Sequence, residues 1–165
     1  MEYNIRPAMP FEWEEAMSLA WRVFKKYEAP EYSQEGVNNF LNFISDEDLY
    51  RMFMAGDYKL YLAVSEHGPS IPGMPEASRK IVGIIGIRMV SHVSLLFVDE
   101  HYHKLGIGRA LVEYAAQAMR KENRAFATVH AAPYAVDFYH RIGFEDIAEE
   151  TVSDGITYTP MRYKL

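Results

Sequence analysis

The sequence contains no cysteine among its 165 residues. That absence excludes disulfides, thiolate nucleophiles and thiolate metal sites together. No stretch approaches the roughly 18 apolar residues that a membrane span needs. The N-terminus, Met1 to Arg6, has no basic patch followed by an apolar run and does not read as a signal peptide. An excess of basic charge is missing too: 17 Lys and Arg face 23 Asp and Glu, a net charge of -6. A general nucleic-acid binder would show the opposite balance. There is no internal repeat, low-complexity tract or composition break. The expectation is one domain over residues 1–165, cytoplasmic, bound to neither membrane nor nucleic acid.

What is present suits a packed core, with 49% hydrophobic and 14% aromatic residues. Tyr3 to Arg6 reads as a short strand. Helical spacing follows from Phe11 to Phe24, through Trp13, Met17, Ala20, Trp21 and Phe24. The run Tyr27 to Tyr32 breaks it, and Ser33 is placed to cap a second helix carrying Val37, Phe40, Leu41 and Ile44. A third short helix follows Asp46 and ends near Gly56. Strands are expected from Lys59, over Lys80 to Met89, and over His92 to Val98, with a Pro- and Gly-rich loop over 67–79. Gly83 and Gly86 weaken their strand or mark a close backbone approach. The clearest helix spans about Gly106 to Glu122. Then come a strand over Ala125 to Ala131, a helix over Pro133 to Arg141 closed by Gly143, and a hairpin of Phe144 to Val152 with Ile156 to Tyr163. Strand-helix alternation flanked by hairpins predicts a mixed α/β (α+β) sheet.

The most informative segment runs from Leu95 to Leu111. An apolar strand feeds the turn His103-Lys104-Leu105-Gly106-Ile107-Gly108-Arg109, which opens the long helix. Free amides at a helix start converge on one spot, and the helix dipole adds partial positive charge there. Such a place suits a pyrophosphate, or the glycines merely shape a tight turn. The dinucleotide fingerprint does not fit, because Leu111 stands where its third glycine would be, and no Walker sequence is present.

His103 to Gly108 resembles the Arg/Gln-x-x-Gly-x-Gly/Ala motif of the GNAT acetyltransferase superfamily, with His103 at the position usually held by Gln or Arg. A second stretch, Ala132-Pro133-Tyr134-Ala135-Val136-Asp137-Phe138-Tyr139-His140-Arg141-Ile142-Gly143-Phe144, resembles the superfamily's Asn-x-x-Ala-x-x-Phe-Tyr-x-x-x-Gly-Phe signature. Ala132 replaces the frequent asparagine. The two motifs lie roughly 30 residues apart, each in the strand-to-helix context it requires. The likeness in element order runs from Lys59 to Leu165 and is specific from Leu95 to Phe144.

That resemblance implies a largely antiparallel sheet flanked by helices, splayed between its fourth and fifth strands to admit acetyl-CoA as acyl donor. It implies that the main chain of Leu96, Phe97 and Val98 holds the pantetheine arm. It also implies that His103, Lys104, Leu105, Gly106, Ile107, Gly108 and Arg109 receive the diphosphate, with Tyr134, Phe138 and Tyr139 completing the cofactor set. The implied reaction is direct transfer of an acetyl group to a primary amine, with Tyr139 as proton donor to the CoA sulfur. A non-catalytic acyl-CoA-binding or sensor protein of the same fold is the alternative.

A general base is not named by either motif. His92 and Ser94 share a face with Leu96 by strand alternation, and His92 has a suitable intrinsic pKa. His130 is a second candidate. Glu28, Glu31 and Glu35, between the first helices, attract a cationic amine or form a solvated face. His101 and His103 make an H-x-H without a third ligand, too little for a metal site. The acceptor is a small-molecule or peptide amine. The C-terminal hairpin offers apolar strands through which two copies could pair as a homodimer.

Overall fold

The computed structural model describes residues 2–66 and 79–165. The loop expected over 67–79 thus falls outside the described residues but for Arg79. The chain begins with β1 (Tyr3–Pro7) and passes through a 3-10 turn into α1 (Trp13–Tyr27). A second 3-10 turn, Ala29–Glu31 with Pro30 in it, follows that helix. The hydroxyl of Ser33 accepts from the Gly36 amide to start α2 (Gln34–Ile44). The Asp46 carboxylate does the same for α3 (Glu47–Ala55), which stops at Gly56 with φ 84°. Next come β2 (Lys59–Glu66), β3 (Arg79–Arg88), β4 (His92–Val98), α4 (Ile107–Lys121) and β5 (Phe126–Ala131). The chain closes with α5 (Val136–Arg141), β6 (Glu145–Asp146), β7 (Thr151–Ser153) and β8 (Ile156–Lys164).

The sheet runs β1-β2-β3-β4-β5-β8-β6, with β7 also on β8. All pairs are antiparallel except β4 with β5. Its two faces bury separate cores, because alternate residues of a central strand point opposite ways. Leu60, Leu62 and Val64 of β2 pack against α1 to α3, together with Phe24 and Phe97. Tyr61 and Ala63 pack against α4, with Ile107, Leu111, Tyr139 and Met161. Gly83 lies beneath α4, where a Cβ would sit 3.0 Å from both Ile107 and Leu111. Gly86 lies beneath the Tyr58 ring, which a Cβ would overlap.

Two expectations change. Phe144 to Val152 is two short strands, not one arm. The Ile147 amide donates to the Pro160 carbonyl at 2.8 Å, but Pro160 has no N–H to return, so the ladder stops and resumes at Thr151 opposite Tyr158. The strand alternation of β4 is also interrupted. Its register against β3 jumps between Leu95 and Val93, leaving Ser94 as an extra residue. The Ser94 hydroxyl therefore meets Tyr58 of the α1-side core at 2.7 Å, whereas Leu96 packs with the α4-side core. Ser94 and Leu96 do not share a face. β8 is paired with β5 along one side and with β6 and β7 along the other, so in the C-terminal hairpin it is β6 and β7 whose outer edges carry no strand among the described residues.

Candidate active site

β4 and β5 are registered only at His92 with Thr128 and Val93 with Val129. Past those pairs they diverge. The β5-facing edge of β4 from Ser94 to Val98 has no strand partner among the described residues, so its main-chain groups, apart from the Val98 carbonyl that accepts from His103, are open to a ligand. A cavity of 1490 Å³ fills the gap and extends toward α1 and α2.

At one end of this cavity lies the turn into α4. Lys104 and Gly106 both have positive φ, 63° and 79°. The first helical hydrogen bond of α4 runs from the Ala110 amide to the Gly106 carbonyl at 3.0 Å. The amides of Ile107, Gly108 and Arg109 thus precede the ladder and lie at the positive end of the helix dipole. A Cβ built on Gly106 would meet nothing within 4 Å, so the space over the turn is open. Gly108 serves another need: a Cβ there would come within 3.2 Å of the Phe138 ring, so the second motif packs directly onto the first.

His103 has its Nε2 2.8 Å from the carbonyl of Val98, to which it donates, and its ring stands 5.2 Å from that of Tyr27. It braces the turn back onto β4. His101 turns the other way, its Nδ1 3.0 Å from the Asp99 carboxylate, so the H-x-H pair does not converge. Asp99 is 2% exposed. Burial raises its pKa, but bonds from the His101 amide and ring, with Lys80 and Arg22 alongside, outweigh that and hold it below the usual carboxylate range.

Tyr139 stands on α5 between Phe138 and Phe144, with ring centroids 5.1 Å from each, and lines the cavity while only 5% exposed. Burial, then the charge of Glu28, pushes its pKa well above the ordinary phenol value, so it stays protonated. His92 has its Nδ1 2.8 Å from the Thr128 hydroxyl and its ring 4.9 Å from that of His130. Burial and neighbouring His130 lower its pKa to about 4, so the ring is neutral at pH 7. His130 is likewise lowered by burial and stacks on Tyr158 at 4.2 Å. The Ser94 hydroxyl is engaged by Tyr58 and by the Gly86 carbonyl.

A family model described as an acetyltransferase (GNAT) domain matches residues 28–165. The chain belongs to the GNAT acetyltransferase family. Among solved structures it resembles the GCN5-related N-acetyltransferase of Rhodopseudomonas palustris, with a TM-score of 0.76 and 18% identity, covering 100% of this chain and 97% of that one. It also resembles the PaiA N-acetyltransferase of Thermoplasma acidophilum, solved in complex with coenzyme A, with a TM-score of 0.74 and 18% identity over 100% of both chains. At such identities the likeness is one of fold. Two Bacillus subtilis (strain 168) proteins, one with a provisional acetyltransferase name and the other called YyaT, are each 26% identical over 83 residues. Those matches span 48% of this chain and 56% of the relatives, so the aligned part is about half of their length.

In this GNAT domain the residues expected to bind the cofactor or to act in catalysis line the cavity except Leu105, which is 54% exposed; of the acidic cluster, Glu28 and Glu35 line it and Glu31 does not. Phe97 turns its ring into the α1-side core and offers the cavity its main-chain edge. The remaining wall comes from segments the motifs do not name. The β7-β8 turn docks on the start of α2: the Ser33 amide donates to the Gly155 carbonyl at 3.2 Å, and Asn39 to that of Asp154 at 2.9 Å. A Cβ on Gly36 would overlap the Gly155 carbonyl, so only glycine permits this approach. The Glu31 carboxylate accepts from the Tyr134 amide at 3.3 Å, and the Tyr27 and Tyr134 rings stack at 5.8 Å, which ties the end of α1 across the gap.

Glu28 sits inside that tie. It is half-buried and lines the cavity, whereas Glu31 and Glu35 are exposed. Burial, then the adjacent Glu31, raises its pKa to about 8. Its charge in turn helps to raise the phenols of Tyr32, Tyr134 and Tyr139. The sequence placed Glu28 in an acidic cluster but gave no sign that, of the three, it would be the enclosed one.

Proposed function

We propose that this protein transfers an acetyl group from acetyl-CoA to a primary amine by direct attack. The observation that carries the reading is the coincidence of three features on one cavity: the unpaired β4 edge, the free amides opening α4, and a buried, protonated Tyr139. The residues present fit coenzyme A. The open space over Gly106 leaves room for a diphosphate, which the amides of Ile107 to Arg109 would bind. The main chain of Leu96 to Val98 would pair with the amide-rich pantetheine arm, and an amide there would polarise the acyl carbonyl. Lys104 and Arg109, both on the wall, add positive charge near the phosphates.

Acetyl-CoA supplies an activated acetyl group as a thioester. Tyr139 holds a proton where the sulfur departs, and its raised pKa keeps that proton in place at any working pH. No covalent enzyme intermediate is invoked, since the chain has no cysteine to carry one. His103 contributes by bracing the turn through Val98 and not by reaching an anion.

Titration calorimetry with CoA, with ATP and NAD as competitors, tests the binding half of this reading. The expected result is a CoA isotherm that neither competitor displaces. Release of free thiol from acetyl-CoA in the presence of a panel of amines tests the chemical half. No heat of CoA association, or no amine-dependent thiol release, would overturn it.

A further inference from the structure

The acetyl-transfer reading leaves open what accepts the ammonium proton, because an amine attacks only once it is neutral. His92 is held neutral with a pKa of about 4 and has little affinity for a proton. The Ser94 hydroxyl is bonded to Tyr58 and the Gly86 carbonyl. The arm formed by α1 and α2 supplies a different set of groups. Tyr32, Phe40 and Phe43 give that part of the cavity an apolar wall, and Glu28, Glu35 and Asp154 are the acidic residues that line it. None of these three carboxylates is ion-paired among the described residues. Glu28 lies between Tyr27, whose ring stacks on Tyr134 at 5.8 Å, and Glu31, which accepts from the Tyr134 amide at 3.3 Å, so it stands beside the turn that leads into the helix of Tyr139, on the same cavity wall.

We propose that Glu28 is the proton acceptor for the incoming ammonium group, and that the acceptor is a primary alkylammonium carrying an aromatic or similarly apolar body. This rests on the acetyl-transfer reading above. The cavity gives the two parts of such a molecule separate surfaces, apolar rings for the body and a carboxylate for the head. The proton balance closes within the site. Of the three ammonium protons, one passes to the Glu28 carboxylate and on to solvent. The freed lone pair forms the C–N bond to the acetyl carbon as the C–S bond breaks. A second proton replaces the one that Tyr139 gives to sulfur, and the third stays on the amide. The ionisable groups facing Glu28 are Glu31 and Tyr32 beside it, Tyr134 on the turn before α5, and Tyr139 on α5. The three phenols are held protonated, so Glu28 is the group whose charge changes near neutrality.

The test uses two probes of similar shape. 2-Phenylethylamine is an ammonium at pH 7, whereas the nitrogen of O-benzylhydroxylamine is neutral there because of its oxygen. Calorimetry on the protein saturated with CoA, at pH 7 in phosphate and in Tris, counts the protons released. Free Glu28 is mostly protonated at that pH, so 2-phenylethylamine should release close to one proton per site from the wild type. It should release none from Glu28→Gln, and O-benzylhydroxylamine none from either protein. With acetyl-CoA, Glu28→Gln should slow acetylation of 2-phenylethylamine about a hundredfold. It should leave O-benzylhydroxylamine within about fivefold, and Glu28→Asp should recover part of the loss. Wild-type protein that binds CoA but not 2-phenylethylamine, binds it without proton release, or slows equally with both probes in Glu28→Gln overturns this proposal alone. Wild-type protein that neither binds CoA nor releases thiol overturns the acetyl-transfer reading, and the proposal falls with it.

Discussion

The two halves of the cavity are built in different ways. The half proposed to hold the acyl donor comes from one nearly continuous stretch, β4 and the turn into α4, and its working groups are main-chain amides and carbonyls. The half proposed for the acceptor is assembled from the end of α1, the start of α2 and the β7-β8 turn, separated by more than a hundred residues and joined through Gly155 and Asp154. Its working groups are side chains. Main-chain groups tolerate changes of side chain, which explains how His103 can stand where the family usually has Gln or Arg. A site made of side chains from distant segments is sensitive to each of them.

Four measurements would break or sharpen that contrast. The largest effect is expected from Tyr139→Phe, which keeps the ring between Phe138 and Phe144 but removes the proton donor. kcat should fall about a hundredfold with the CoA Kd within about twofold. Equal loss of both would mean that Tyr139 only packs against the ligand. Next is Gly36→Val, which pushes α2 away from the Gly155 carbonyl. It should cost about 2 kcal/mol of stability in denaturant unfolding. It should also raise the acceptor KM about tenfold or more while CoA binding holds, as expected for a displaced acceptor wall. If CoA affinity fell in parallel, the two halves would not be separable.

A smaller effect concerns stability and pH. The pKa of Glu28 is about 8 in the folded state and roughly 4.3 in an unfolded chain. Between those values the folded state binds more protons than the unfolded one, so this residue lowers stability as pH rises through the window. Glutamine cannot ionise. The Tm advantage of Glu28→Gln over wild type should therefore grow from pH 5 to about 8 and then level off. A difference that stays flat with pH would show that Glu28 is not enclosed. The smallest effect is expected from His103→Ala, which loses one bond to Val98 but no amide of the turn. CoA affinity should weaken by about threefold, within the range of a single neutral hydrogen bond. A hundredfold loss would mean that the side chain grips the ligand itself.

Much of the donor half was legible because each feature is local. A glycine with φ 79° at the helix start and an apolar strand before it depend on residues close in sequence, as do the caps of α2 by Ser33 and α3 by Asp46 elsewhere in the fold. The register jump at Ser94 was not legible. A bulge follows from how two strands pair, and it separated Ser94 from the face of Leu96 that simple alternation gave it. The gap in the C-terminal hairpin depends on Pro160 facing β6 and not β5, which the sequence of the hairpin does not state.

The sequence by itself determined the order of elements, the two motifs and hence the family, because hydrophobic period, caps and positive-φ glycines act over a few residues. The tertiary structure decided which carboxylate of the acidic cluster would be enclosed. Glu28, Glu31 and Glu35 differ little as sequence, but Glu28 alone becomes half-buried, on the cavity wall with Tyr32, Tyr134 and Tyr139, once the end of α1 is tied across the gap. A carboxylate's affinity for its proton is set by the solvent and charge around it, and those neighbours arrive from residues distant along the chain.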